Sequence, residues 1–182
     1  MSQFFIKTTK VGLLALLPLF LISNYRVDVS LGNPKVLDGK YTLNSRGVEN
    51  TVLKGKIVFE TSVKETNSGI PFSTLVLKLE NDGEAYQHTM EFLISKQDSP
   101  NGIDVGRYTV ARDIEGFMDS FDGIFGHANF QALGELPFFT KQGTITISGL
   151  HDSFLQGFLD IAMYDPEGRE ITISGNFMAK RL

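Results

Sequence analysis

Two-residue alternation of apolar and polar side chains runs through most of this chain from Val52 onward, and few patterns constrain a fold more tightly. Successive side chains of an extended strand point to opposite faces, so sustained alternation specifies a strand with one buried face. The clearest run is 86–95, where Tyr86, His88, Met90, Phe92 and Ile94 alternate with Gln87, Thr89, Glu91, Leu93 and Ser95. Further strands are expected over 52–63, 72–80, 103–111, 144–150, 154–164 and 170–179. Turn residues separate them. Asn81-Asp82-Gly83 is a tight hairpin signal. In Asp165-Pro166-Glu167-Gly168 the proline presets φ for a type I turn and the glycine takes the left-handed position that follows.

The last three strands read as an antiparallel meander. The pentapeptide Ile-Thr-Ile-Ser-Gly occurs at 145–149 and again at 171–175, in the first and third of them. Both flank the same middle strand, so the repeat predicts two equivalent environments. The middle strand is apolar on both faces, with Leu155, Leu159, Ile161 and Met163 against Phe154, Phe158, Ala162 and Tyr164. That pattern predicts cover on both sides.

Together these strands predict an all-β domain over 51–182, an antiparallel β-sandwich or flattened barrel of about 7–8 strands, with a lipocalin-like closed barrel as the alternative. Residues 27–50 form an N-terminal extension or a first strand. Segment 112–142 breaks the alternation and is expected to be one irregular or short-helical excursion. Its Phe117, Phe121, Ile124 and Phe125 fall at i, i+4, i+7 and i+8, the spacing of one face of a short amphipathic helix. Gly116, Gly123 and Gly126 limit its length.

Residues 1–26 read as a signal peptide or N-terminal anchor. Lys7 and Lys10 precede the twelve-residue apolar stretch Val11 to Ile22. That length suits an h-region and falls short of the ~20 residues of a membrane span. Cleavage near Ser23 is preferred to retention. Leu21-Ile22-Ser23 resembles the residues before a lipoprotein cysteine, but Asn24 stands where the acylated thiol would be. The expected address is therefore exported: periplasmic, cell envelope or secreted.

Without these 26 residues the chain loses Lys7, Lys10 and Arg26 and no acid, so its net charge goes from −4 to −7. A net acidic body argues against nucleic acid and against electrostatic docking on anionic lipid. The membrane is then expected to be met only through the N-terminal segment, if uncleaved. The absence of cysteine excludes disulfides, thiolate nucleophiles and cysteine-ligated metals.

The elements Gly106-Arg107-Tyr108-Thr109-Val110, Ala128-Asn129-Phe130 leading through Phe138-Phe139 to Gly143–Ile147, Gly157-Phe158, Asp165–Gly168 and Ile171–Gly175 resemble small envelope proteins of the Bacteroidetes type, many of them lipoproteins. The resemblance covers about 75 of the 182 residues. It implies a β-sandwich in the cell envelope and brings no reaction with it. Asn24 departs from the lipoprotein pattern.

Candidate chemistry is sparse. His127, with Asp119 and Asp122 nearby in sequence, is the best metal or acid–base candidate, although Asp119–Gly123 lacks the spacing of a calcium loop. His88 on an apolar strand face reads as a satisfied core or edge histidine. His151-Asp152-Ser153 has the residue types of a triad, but consecutive residues cannot form its relay. No cofactor and no metal are expected. The favoured function is a non-enzymatic envelope module binding a partner protein or an apolar or glycan ligand. Its surface is expected at 117–139, on Phe117, Phe121, Phe125, His127 and Phe130, where aromatic and polar groups interleave. The alternatives are a hydrolase or isomerase using a His/Asp cleft, and a lipocalin-like carrier of a small apolar ligand.

Overall fold

The computed structural model describes residues 39–66, 68–81, 87–112 and 121–182. The chain divides into two compact units, 1–33 and 34–182, and every described residue belongs to the second. The leader, the Asp82-Gly83 turn, Tyr86, Phe117 and Asp119 lie outside the described residues.

Among the described residues nine strands form one sheet: β1 (Lys40–Gly47), β2 (Val52–Glu65), β3 (Pro71–Asn81), β4 (His88–Gln97), β5 (Gly106–Thr109), β6 (Gly123–Phe130), β7 (Phe138–Leu150), β8 (Phe154–Tyr164) and β9 (Glu170–Arg181). Sequential antiparallel pairing runs from β1 to β4, passes to β6, and continues through β7 and β8 to β9. β9 then pairs with β1, Tyr41 opposite Phe177 and Ser45 opposite Ile173. The ring closes as an eight-stranded antiparallel barrel, and β5 is an extra strand on the second half of β7. Closure leaves the eight ring strands without the exposed edges that promote aggregation.

An eight-stranded barrel has an interior just wide enough for side chains to fill. Here Leu43, Ile57, Phe59, Leu77, Phe92, Phe138, Leu159, Ile173 and Phe177 are among the inward residues, all buried in one cluster. Small residues make room for the large ones. A Cβ on Gly126 would stand 2.5 Å from the Phe92 ring, so the ring occupies the volume that any other residue at 126 would need.

The repeated pentapeptide does occupy equivalent places. Ile145 and Ile147 on β7 and Ile171 and Ile173 on β9 all point inward beside β8. The expectation that β8 is covered on both faces is not met: Phe158 on its outer face is 41% exposed. Among the described residues no second layer covers the ring there. Segment 112–142 also differs from expectation. Its one helical piece among the described residues is the 3-10 turn Gln131–Leu133, and Ile124 and Phe125 lie in β6, on opposite faces of it.

Beyond β8 the turn to β9 is clamped by Asp165. Its Oδ1 accepts the backbone N–H groups of Glu167 at 3.0 Å and Arg169 at 2.8 Å, and its Oδ2 accepts Arg169 Nε at 2.5 Å. Arg169 Nη1 donates to the Leu133 carbonyl, and the guanidinium lies 5.9 Å from the Phe138 ring centre. Burial pushes the Asp165 carboxyl up, but hydrogen bonds from Arg169 and its charge outweigh this and hold it below its ordinary 3.8. A depressed folded value means that the stabilisation is complete above the ordinary value and is lost as pH falls through the lower one. Thermal unfolding across acid pH is therefore expected to show wild-type stability falling below pH 3.8 more steeply than that of Asp165→Asn. Equal slopes would show that this carboxylate makes no such contribution.

Candidate functional site

Strand β6 separates the expected site residues according to parity. Ile124, Gly126, Ala128 and Phe130 face the barrel interior, whereas Phe125, His127 and Asn129 face outward. Phe130, only 5% exposed, packs edge-on against Phe138 and belongs to the core. Phe121 is half-buried just before the strand. Of the five residues, Phe125 and His127 therefore share the outer face, and Phe130 is turned away from them.

Around Phe125 the outer face carries an apolar band across five strands. Val76 on β3 is opposite Leu93 on β4, which is opposite Phe125 on β6. The Phe125 ring stacks on Phe139 of β7, with centres 6.3 Å apart and planes 25° apart. Phe139 is in turn opposite Tyr164 of β8. Phe139 is 40% exposed, while the other four are half-buried. Glu91 and His127 are paired beside the band. At its β8 end a hydrogen bond to Glu170, with burial and the Glu170 charge, holds the Tyr164 phenol above its usual range.

Sequence reasoning named Phe125 and His127, and its range 117–139 ends on Phe139, but it did not reach Val76, Leu93 or Tyr164. Parity was the available signal: Leu93 alternates with the apolar positions 92 and 94, and Phe139 follows inward Phe138. The band becomes visible only when cross-strand registers bring these outward residues side by side.

The two described acid–base candidates, Asp122 and His127, are not brought together, and Asp119 lies outside the described residues. Asp122 Oδ1 accepts the Gln97 backbone N–H at 2.8 Å, tying the start of β6 to the end of β4. His127 faces outward farther along β6. Among the described residues no three His, Cys, Asp or Glu side chains form a group able to hold a metal ion. In the β7–β8 turn His151 stacks on Phe154, and the Asp152 carbonyl accepts a hydrogen bond from Arg181 Nε, both turn-forming contacts.

Apart from the apolar band, a concave region lies where β3 and β6 end and β4 begins. It is a cleft of about 610 Å³ with Glu80 and Glu135, the amides of Asn81, Gln87, Asn129 and Gln131, and His88 and Phe130 among its lining. His88 is 5% exposed, its Nε2 lies 2.6 Å from Tyr41 Oη, and its ring stacks on Phe130. It is the satisfied core histidine that its apolar strand face suggested. Gly55 leaves the space that the Tyr41 hydroxyl occupies, since a Cβ there would lie 2.8 Å from it.

Compared with known protein families, with curated proteins and with solved structures, the chain matches none.

Proposed function

We propose that this chain is an exported, non-enzymatic binding module of the cell envelope, and that it engages a partner protein through the outer band Val76, Leu93, Phe125, Phe139 and Tyr164. The observation that carries this reading is the band itself. The outward positions of a barrel strand are ordinarily polar, as Lys54, Lys56 and Glu60 are on β2. Here five neighbouring strands instead place apolar or aromatic side chains side by side. Aromatic residues concentrated in a patch with a polar rim are the composition of a protein interface core. Glu91 and His127 supply that rim. The inward positions are filled by large side chains, which favours binding at the surface over carriage of a ligand inside.

A photo-crosslinking residue at position 139 tests the reading in the native host. It should give a discrete adduct that is absent when the same residue replaces Glu60, on the outer face of β2. Phe125→Ala combined with crosslinker at 139 should reduce the adduct about tenfold, as expected for loss of an interface anchor. Both sites are on the outer face, so the fold should survive, with thermal unfolding still cooperative. Equal labelling at 139 and 60 would remove the reading.

The cleft favours a second reading, a glycan ligand. Four amides and two carboxylates around one concavity supply the paired donors and acceptors that sugar hydroxyls require. Saturation-transfer NMR with envelope oligosaccharides separates the two: transfer abolished by Asn129→Ala but not by Phe125→Ala places the ligand at the cleft.

A further inference from the structure

Charge on the barrel surface is segregated in a way that the net value conceals. Lys40 on β1 stands directly opposite Lys56 on β2. Lys54 lies two residues before Lys56 on the same outward face, opposite Thr42. Lys180 on β9 lies two residues beyond Met178, the cross-strand partner of Lys40, and itself pairs with Val58. All four side chains are exposed, and none forms an ion pair among the described residues. Glu80, opposite Lys56, is the acid placed against this group by register. Like charges directly across a strand pair are destabilising. A fold that pairs Lys40 with Lys56 therefore gives up stability at a position where many residues would serve.

From this placement we infer that the outer face of β1, β2 and β9, through Lys40, Lys54, Lys56 and Lys180, docks on an anionic lipid surface. Four ammonium groups on one convex face complement a plane of phosphate headgroups, and each basic residue near such a surface adds to the attraction. Two further points favour lipid over a nucleic acid or another polyanion. Among the described residues the outward positions of these three strands carry no aromatic side chain, and the one cross-strand from Lys180, Phe154 of β8, is half-buried and packs on the His151 ring rather than standing free for a base. The chain also enters β1 at Lys40, eighteen residues after the apolar run that ends at Ile22, so in a chain that keeps this run as an N-terminal anchor the patch includes the strand nearest to it in sequence. The whole-chain charge argues against such docking only when treated as uniform; a surface potential follows the local distribution.

The inference is independent of the aromatic band, and its test leaves that band intact. The full chain is titrated with vesicles of phosphatidylcholine alone and with vesicles that also contain phosphatidylglycerol. The apolar leader contributes to both, so the readout is the ratio of the two affinities. The wild-type ratio should be about tenfold or more at low salt and collapse toward one in high salt. Lys40→Glu with Lys180→Glu should bring it close to one, although Lys7 and Lys10 are unchanged. Lys40→Glu alone should also raise Tm, because it turns a repulsive pair with Lys56 into an attractive one. Weaker lipid preference with an equal or higher Tm is a combination that misfolding cannot produce. A double variant that keeps the wild-type ratio overturns the inference. So does a wild-type chain that shows no preference between the vesicles, or one that binds single-stranded oligonucleotides through the same lysines in their place.

Discussion

Phe92→Ala is expected to cost the barrel about 3–5 kcal/mol, the range for removing a fully buried aromatic side chain from a core that cannot collapse around the gap. Phe92 has no exposed surface and fills the space left by Gly126 on the neighbouring strand. Ring closure holds β3, β4 and β6 at fixed spacing, so relaxation into the cavity is restricted. Chemical denaturation of the variant should show a lower midpoint with an unchanged slope, the mark of lost stability rather than a changed unfolded state. The same substitution at Phe125 offers the contrast. That ring is half-buried on the outer face, so its truncation should cost well under half as much. Equal losses at 92 and 125 would mean that the outer band is part of the stabilising core.

This pair also shows what the sequence made legible. Alternation identified 86–95 as a strand with Met90, Phe92 and Ile94 inward, and it placed β8 at 154–164, the bounds that the structure has. It failed on β6 for a physical reason. The inward positions of that strand include Gly126, whose side-chain volume the Phe92 ring takes, and the small Ala128, so its inner face carries little apolar signal. What remained visible was the spacing of Phe117, Phe121, Ile124 and Phe125, which suits a helix face, although Ile124 and Phe125 lie in a strand and Phe117 is outside the described residues.

Ring closure was illegible for another reason. It depends on β1 pairing with β9 across almost the whole domain, and no local pattern encodes a contact so remote. β1 itself, Lys40–Gly47, has only Tyr41 and Leu43 as apolar inward residues, which left 27–50 open between an extension and a first strand. The outer band has the same origin. Each of its members is an unremarkable outward residue until β3, β4, β6, β7 and β8 are set in register.

Gly143→Ala is the second large effect expected, because one residue there meets two separate constraints. Its φ is +125°, a conformation that side-chain-bearing residues rarely adopt. A Cβ would also stand 2.8 Å from the Ile161 Cα and closer still to the Asp160 carbonyl, both on β8. The position is where β7 changes partners. Phe138 and Phe139 pair with β6, a bulge follows between Thr140 and Gln142, and Thr144 to Ile147 pair with β5. The Gly143 carbonyl accepts the Val110 N–H at 3.1 Å, fixing the residue that follows β5. Backbone strain and the displaced β8 contact together should cost about 2–4 kcal/mol, above the ordinary range for an exposed substitution. The loss should be local before it is global. Hydrogen exchange is expected to accelerate first at the amides of Val110 and of residues 106–109, with β1–β4 still protected. If the amides of all strands accelerate together, β5 is held as firmly as the ring, and Gly143 is a seam of the whole barrel rather than the hinge on which its extra strand is mounted.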